Sequence, residues 1–202
     1  AADTATSQSF YFKDTSASAT VSITTDDGNG SGYTTGSWSI DISNATPTNI
    51  VTGQYHSCVA ISGKAQCWGY NANGQIGDNT TVNKSAPTQV SGLTTNIIQV
   101  EVGASHSCAL TSAGAVWCWG YNLYGQLGDG SSTQRNTPVQ AVASGATQIA
   151  VGGNHSCALV QGQAKCWGLN GSGQLGLGRA YTATASFTNQ STAQAVADLA
   201  SN

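Results

Sequence analysis

The chain has 202 residues, of which 39% are hydrophobic and only 7% are charged, and its net charge is −3. This length allows one large or two small domains with a buried core, and the low charge predicts a neutral, polar surface. Without a basic cluster, nucleic-acid binding loses its electrostatic driving force. No apolar run approaches the ~20 residues that a membrane helix needs. We therefore expect no nucleic-acid partner and no membrane span in this chain.

The six cysteines and the lack of methionine bear on the cellular compartment. The chain opens with Ala1-Ala2-Asp3, a start that is common among products of signal peptidase. The cysteines are even in number and fall into three pairs, which suits an oxidising compartment. We expect a mature secreted chain that is located outside the cell or on the cell surface.

The first 47 residues do not share the pattern of the rest of the chain. They hold β-prone stretches at 9–12, 19–24 and 36–42, with a turn signal at 26–30. Three short strands make a sheet that is too small to be stable alone. Residues 1–47 are thus predicted to be a β-rich cap on the first repeat or a connector to another subunit. The cap is favoured because repeat arrays need capping at their ends.

Residues 48–202 consist of three similar units, at about 48–97, 98–147 and 148–202. Each unit contains His-Ser-Cys, then Cys-Trp-Gly, then an Asn and the motif Gly-Gln-(Leu or Ile)-Gly, and the three histidines lie 50 and 49 residues apart. Repetition at this period is typical of propellers, solenoids and arrays. β-branched residues predict a strand before each histidine, and two strands joined by a tight turn follow it. We predict an all-β fold.

The third unit departs from the other two in its polar excursion. Pro87 and Pro138 each lie ten residues after the last Gly of their Gly-Gln-x-Gly motif, whereas Ala193 occupies that place in unit three. The third excursion is therefore seven residues longer, and it carries Tyr181 and Phe187.

The cysteine spacing predicts one disulfide inside each unit. Cys58 and Cys67 are centred on Ser62-Gly63, a two-residue hairpin loop whose Gly tolerates a positive φ. Counting outward from the pair that closes the loop places the two cysteines opposite each other at a non-hydrogen-bonded position. Such Cα atoms lie about 4.5 Å apart, which a disulfide accepts. Cys157 and Cys166 have the same spacing.

Cys108 and Cys118 are one residue further apart, and their loop, 112–114, is also one residue longer. This insertion keeps the two cysteines opposite each other and so favours direct pairing. The alternative is zinc, because His-x-Cys and the second Cys would supply three ligands per unit. No fourth ligand recurs, so we predict three disulfides, no metal and no cofactor.

These motifs together resemble the regulator-of-chromosome-condensation (RCC1-like) repeat family, over residues 50–202. The resemblance implies blades of four antiparallel strands in a partial or open β-propeller of three blades, since family members generally close rings of about seven. The cysteine pair is typical of secreted bacterial relatives. Known roles in the family include nucleotide exchange on a small GTPase and inhibition of β-lactamases. The positions that match the family's His-Ser-x-Ala-Leu and Trp-Gly-x-Asn segments are Ser107, Ala109, Leu110, Trp119, Gly120 and Asn122.

The residue inventory argues against an enzyme. Trp68, Trp119 and Trp167 recur once per unit, which predicts packing between neighbouring sheets. The histidines also recur, as groups that serve the structure of each repeat do, whereas a catalytic base usually occurs once. Glu101 is the only Glu, and no pair of carboxylates suggests general acid–base chemistry.

We therefore predict a binding function, with protein or glycan as the partner. Aromatic residues are enriched at interfaces, and the candidate contacts on the loops and excursions are Tyr70, Tyr121, Tyr124 and Tyr181. The alternative is that these rings pack against neighbouring blades. The expected role is adhesion or assembly outside the cell, and inhibition of a secreted enzyme is a further alternative.

An arc of three blades leaves sheet edges unpaired. The chain is therefore also a candidate for an oligomer or surface-filament subunit, in which N-terminal strands complete the sheet of another copy. Seven Asn-x-Ser/Thr sequences are candidate glycosylation sites: Asn29, Asn44, Asn79, Asn83, Asn154, Asn170 and Asn189.

Overall fold

A computed structural model describes residues 47–178 and 188–197. The predicted N-terminal segment, apart from Pro47, lies outside the described residues, so its role as cap or connector stays a prediction. The regular elements of the described part are twelve β-strands: β1 (Pro47–Thr52), β2 (His56–Ile61), β3 (Lys64–Gly69), β4 (Lys84–Gln89), β5 (Ile97–Val102), β6 (His106–Thr111), β7 (Val116–Gly120), β8 (Arg135–Val142), β9 (Ala146–Val151), β10 (His155–Val160), β11 (Gln163–Gly168) and β12 (Gln190–Ala195).

The strands form three separate sheets of four strands each, in the orders β1-β2-β3-β4, β5-β6-β7-β8 and β9-β10-β11-β12. Every pairing in these sheets is antiparallel. We call the three sheets blades 1, 2 and 3. The prediction of an all-β array of propeller blades is confirmed.

The central hairpin of each blade has the predicted register. In blade 1, Ile61 pairs with Lys64 next to the turn, and Cys58 then lies opposite Cys67. The turn residues Ser62 and Gly63 both have positive φ, 49° and 73°. Two successive left-handed residues match the right-handed twist of the strands that they join. Local turn chemistry therefore sets the register that brings the cysteines together.

The wider hairpin of blade 2 also keeps its cysteines opposite each other. Cys108 pairs with Cys118, and Gly114 in the longer turn has a φ of 78°. Disulfides join Cys58–Cys67, Cys108–Cys118 and Cys157–Cys166, each with Cα atoms 4.1 Å apart. The predicted bridges are therefore present in all three blades.

The long excursion of unit three does not prevent a fourth strand. Cys67 lies opposite Thr88 in blade 1, and Cys166 lies opposite Gln194 in blade 3. Ala193 therefore occupies the place of Pro87, as the sequence predicts. The extra residues fall between β11 and β12, and Tyr181 and Phe187 lie outside the described residues.

The hydrophobic core lies between blades. One buried cluster joins Cys58 and Ala60 of blade 1 to Val100 and Trp119 of blade 2. A second cluster joins blade 2 to blade 3 in the same way, with Trp167 fully buried. Since a single sheet cannot bury both of its faces alone, each blade depends on its neighbours for stability.

Candidate interaction site

A buried asparagine organises the loop that follows the third strand of each blade. In blade 1, the Asn71 Oδ1 accepts a hydrogen bond from the backbone N–H of Ile76 at 2.9 Å. The Asn71 amide donates to the carbonyl oxygens of Thr80 and Val82, both at 3.1 Å. Asn122 makes the equivalent bonds in blade 2. One side chain thus holds the Gly-Gln-x-Gly loop and the start of the excursion together.

An ion pair closes the excursion in blades 1 and 2. Asp78 lies 2.8 Å from Lys84, and Asp129 lies 2.9 Å from Arg135. Partial burial opposes the charged form of Asp78, but hydrogen bonds from Lys84 and Thr80 outweigh it and lower the pKa of this carboxyl. Leu177 occupies the equivalent position in unit three, so that repeat lacks the carboxylate.

The blades are joined by a hydrogen-bond network that converges on one backbone carbonyl. The Gln75 carbonyl of blade 1 accepts bonds from the Ser107 hydroxyl at 2.9 Å and from the Trp119 indole N–H at 2.8 Å. Ser107 Oγ also lies 2.8 Å from His56 Nε2. The same network joins blades 2 and 3. The Gln126 carbonyl accepts bonds from the Ser156 hydroxyl at 3.0 Å and from the Trp167 indole N–H at 2.9 Å. Ser156 Oγ lies 2.9 Å from His106 Nε2.

Each blade therefore has two different faces. The front face meets the preceding blade and, in blade 2, carries Val100, Ser107, Ala109 and Trp119. The back face meets the following blade and, in blade 2, carries His106, Cys108, Leu110, Val116 and the Gln126 carbonyl. Successive side chains of β6 alternate between these faces, as the period of a strand requires.

The network fixes the protonation of the histidines. The only hydroxyl proton of Ser107 goes to Gln75, so His56 Nε2 must carry the proton that it shares with Ser107. The other ring nitrogen, Nδ1, is buried without a hydrogen-bond partner among the described residues. Burial lowers the pKa of His56 to about 4. Burial, together with the neighbouring His56 and His155, lowers the pKa of His106 to about 3. Both imidazoles are neutral at physiological pH.

In blades 1 and 2, the last Gly of the Gly-Gln-x-Gly motif makes room for the tryptophan of the next blade. A Cβ at Gly77 would lie 2.7 Å from Trp119 Nε1, and a Cβ at Gly128 would lie 2.8 Å from Trp167 Nε1. The predicted packing role is confirmed for these two tryptophans, which are fully buried. Trp68 is only half-buried, because the described residues contain no blade on its front side.

The four tyrosines of the described residues, Tyr55, Tyr70, Tyr121 and Tyr124, belong to neither core cluster. Tyr121 stacks edge-on against Tyr124 with ring centroids 6.2 Å apart, and Tyr70 stacks against Tyr55 at 6.0 Å. A groove of about 500 Å³ runs between the loop of blade 2 and β12 of blade 3. We call it the rim groove. It is lined by Leu123, Tyr124, Ser131, Thr133, Asn189 and Ser191. Tyr181 lies outside the described residues.

In the described part of the chain, no group of three or more His, Cys, Asp or Glu side chains is placed to hold a metal ion. The same part holds no helix long and apolar enough to cross a membrane.

Two family models for the Regulator of chromosome condensation (RCC1) repeat match the sequence. One covers residues 62–110 and 113–159, and the other covers 97–126 and 146–174. Together they span 62–174, which is more than half of the chain. The chain belongs to the RCC1 repeat family.

Curated relatives with RCC1 repeats are much longer than this chain. It is 38% identical over 136 residues to the ultraviolet-B receptor UVR8 of Arabidopsis thaliana, a match that covers 64% of this chain and 31% of UVR8. It is 34% identical over 87 residues to the human E3 ubiquitin-protein ligase HERC2, which covers 43% of this chain and 2% of HERC2. The chain thus spans less than a third of these relatives.

Solved structures support the same fold. The chain superposes on human WBSCR16 with a TM-score of 0.64 and 26% identity, covering 75% of this chain and 38% of that one. It also superposes on yeast RCC1 (Prp20), solved in complex with Kap60, with a TM-score of 0.62 and 20% identity, covering 75% and 37%. The second likeness bears on the fold alone.

Three of the candidate glycosylation asparagines have side chains that form hydrogen bonds within the RCC1 repeat. Asn83 and Asn189 accept hydrogen bonds from the backbone N–H groups of Asn71 and Asn170. Asn170 is buried, and its amide donates to the Thr188 carbonyl, which a glycan there would displace. Of the remaining candidates, Asn79 is exposed and Asn154 is half-buried, while Asn29 and Asn44 lie outside the described residues.

The sequence did not indicate that the recurring serine and glutamine of the RCC1 repeat form the centre of the contact between neighbouring blades. Both residues recur in every unit, which is a signal that they matter. The glutamine acts through its main-chain carbonyl, however, and no side-chain type identifies such a contact.

Proposed function

We propose that this chain is a non-catalytic protein-interaction module that works outside the cell or on its surface. The rim groove carries this proposal, because its side chains are not those of the other repeats. The position of Tyr124 is Asn73 in unit one and Ser172 in unit three. Leu123 is 60% exposed beside it. An exposed leucine next to stacked tyrosines and hydroxyl groups has the composition of a protein-binding surface.

The polar residues that could suggest catalysis are engaged in structural contacts. His56 and His106 each bond a serine of the next blade, and both serines bond a glutamine carbonyl. Neither serine has a free base beside it that would activate it as a nucleophile. These contacts support a scaffold role for the repeats.

The disulfides support an oxidising location. All three bridges are formed within single hairpins, and cytosolic proteins rarely keep such bonds. Protein ligands are favoured over glycans because the rim groove has the composition of a protein-binding surface. The more specific role that we propose is adhesion or assembly.

The test is affinity capture from the secreted and surface proteins of the source organism, with joint replacement of Tyr121 and Tyr124 by Ala. We expect a captured protein to be lost with this variant. The matched control replaces Tyr55 and Tyr70, the stacked pair that does not line the rim groove, with Ala. It should retain the protein, in which case Tyr70 is not the contact that the sequence predicts. Near-ultraviolet circular dichroism verifies that both variants are folded.

Equal capture by both variants would contradict a role for the rim groove. Retention of glycans rather than proteins on the wild-type chain would contradict the proposed partner class. Unfolding of the Tyr121/Tyr124 variant would assign the two rings to packing and would likewise overturn the proposal.

A further inference from the structure

The two ends of the array expose surfaces that are buried wherever the repeat recurs inside it. At the front of blade 1, Ile50 is 64% exposed, whereas its equivalents Val100 and Ile149 are 0% and 2% exposed. Ser57 and Trp68 are half-buried there, although their equivalents in blades 2 and 3 are fully buried or nearly so. Val59 is buried on the same face, but among the described residues no other blade covers the front of blade 1.

The back of blade 3 is the counterpart of this surface. Leu159 is 37% exposed, whereas Ala60 and Leu110 at the same position are fully buried. Beside Leu159 lies a hollow of about 220 Å³ that is mostly apolar and is lined in part by Gln148, Cys157 and Ala164. The register places Lys64 on the front face of blade 1 with Ile61, whereas the side chains named on the back face of blade 3 are neutral, so no like charges oppose the approach of the two faces.

We propose that the back face of blade 3 binds the front face of blade 1 of a second copy of this chain, head to tail. This proposal goes beyond the proposed function, because it uses surfaces other than the rim groove. Contacts of the same type repeated from copy to copy give a ring if the rotation closes and a filament if it does not.

The histidine, serine, tryptophan and glutamine groups of the internal interfaces have their equivalents on the open faces. The backbone N–H groups by which Ile97 and Ala146 bond the preceding blade have none, because Pro47 holds that place and carries no N–H. His155 would donate to the second copy's Ser57, as His106 does to Ser156 at 2.9 Å. The Gln174 carbonyl would accept from that Ser57 and from the second copy's Trp68, as the Gln126 carbonyl accepts from Ser156 and Trp167.

The remaining contacts follow the same correspondence. Gln99 bonds both the N–H and the carbonyl of Ile149, at 3.1 and 2.9 Å. Gln148, the equivalent of Gln99, would bond the backbone of the second copy's Ile50, and the Ile50 side chain would fill the hollow beside Leu159. An unrelated apolar surface would leave His155 and Gln174 without these partners, which is why a second copy is the favoured occupant.

The experiment measures the mass of the full 202-residue chain by light scattering over a range of concentrations. The wild-type chain is expected to rise to at least twice the monomer mass. Ile50→Asp, which damages only the front face, and Leu159→Asp, which damages only the back face, should each remain monomeric. Both residues are exposed, so the fold should survive, and circular dichroism checks this.

A mixture of the two face variants gives the most decisive measurement. The Ile50→Asp chain keeps an intact back face, and the Leu159→Asp chain keeps an intact front face. An equimolar mixture is therefore expected to form a dimer of one chain of each kind and to stop there. Val82→Asp is the control, because Val82 is also 64% exposed but lies on neither face; it should associate like the wild type.

Three results would overturn the proposal. The wild type could stay monomeric at every concentration, as it would if the chain's own N-terminal residues covered blade 1. Either face variant could associate as strongly as the wild type. The mixture of the two variants could remain monomeric. The tyrosine variants of the rim groove are expected to associate normally, so failure here and failure of the proposed function are distinguishable.

Discussion

At the scale of single residues, the buried histidines illustrate how a repeat uses a polar group for structure. His56 donates through Nε2 to Ser107, and its Nδ1 has no partner in the described part of the chain. Adding a proton at Nδ1 would create a buried N–H and a buried charge with no acceptor. Such a change is unfavourable by several kcal/mol in principle, which agrees with the low pKa values of His56 and His106.

These pKa values predict that stability falls as the solution is acidified. In the unfolded chain a histidine has a pKa of about 6.5, but in the folded chain the pKa is about 4 for His56 and about 3 for His106. Between these values the unfolded chain binds more protons. The stability contribution is therefore complete above about pH 6.5 and is lost progressively as the pH falls towards the folded values.

The measurement is the urea midpoint of unfolding at about pH 7 and about pH 5, where we expect a lower midpoint at the lower pH. The aspartates do not confound this comparison. The pKa values of Asp78 and Asp129 are lowered from 3.8, so protonation of these carboxyls reduces stability only in more acidic solution. An unchanged midpoint between the two pH values would contradict the histidine assignment.

At the scale of strands and hairpins, local chemistry determines what the sequence can predict. The register of β2 and β3 follows from a two-residue turn with Gly63, and the longer turn with Gly114 preserves the register of β6 and β7. Each of these outcomes depends on fewer than a dozen neighbouring residues. The hairpins, the disulfides and the place of Ala193 in β12 could all be predicted for this reason.

For the contacts between blades, the sequence predicts which type of side chain is buried but not which atoms those side chains bond. Burial of the tryptophans follows from their recurrence, but their acceptor does not. Ser107 and Trp119 reach the Gln75 carbonyl across 32 and 44 residues of sequence. A backbone carbonyl is present at every position, so the sequence carries no mark of which one is used. The rim groove was similarly hidden, because it joins Tyr124 to β12 of another repeat.

The disulfides should differ in how readily they are reduced in the folded protein. Cys58, Cys67, Cys108 and Cys118 are fully buried beneath the following blade, whereas Cys157 is half-buried on the open back face of blade 3. A thiolate must reach a sulfur atom to exchange with it. We therefore expect Cys157–Cys166 to be reduced several-fold faster than the other two bridges.

Mild reduction followed by alkylation and mass spectrometry gives the order of labelling. The protein is kept dilute so that the end faces are uncovered. Equal rates for the three bridges, or faster labelling of Cys108–Cys118, would contradict the assignment of an open back face to blade 3.

At the scale of the whole described array, the position of a repeat determines which of its faces are buried. Equivalent residues have the same local sequence but different surroundings, as Ile50, Val100 and Ile149 show by their exposure of 64%, 0% and 2%. The middle blade is covered on both faces, and each end blade is covered on one. The central claim is that one interface, centred on a serine, is formed twice and is left open at the two ends.

The most direct test compares the same substitution at an inner and at an outer position. Ser107→Ala removes the group that joins His56 to the Gln75 carbonyl, and leaving such buried groups unpaired costs about 1–3 kcal/mol. Ser57→Ala, at the equivalent position on the open front face, should change the free energy of unfolding by less than about 0.5 kcal/mol.

Urea denaturation of the two variants and the wild type, at concentrations where the chain is monomeric, measures both values. The account predicts a large loss of stability for Ser107→Ala and almost none for Ser57→Ala. Equal losses for the two variants, or a larger loss for Ser57→Ala, would contradict it.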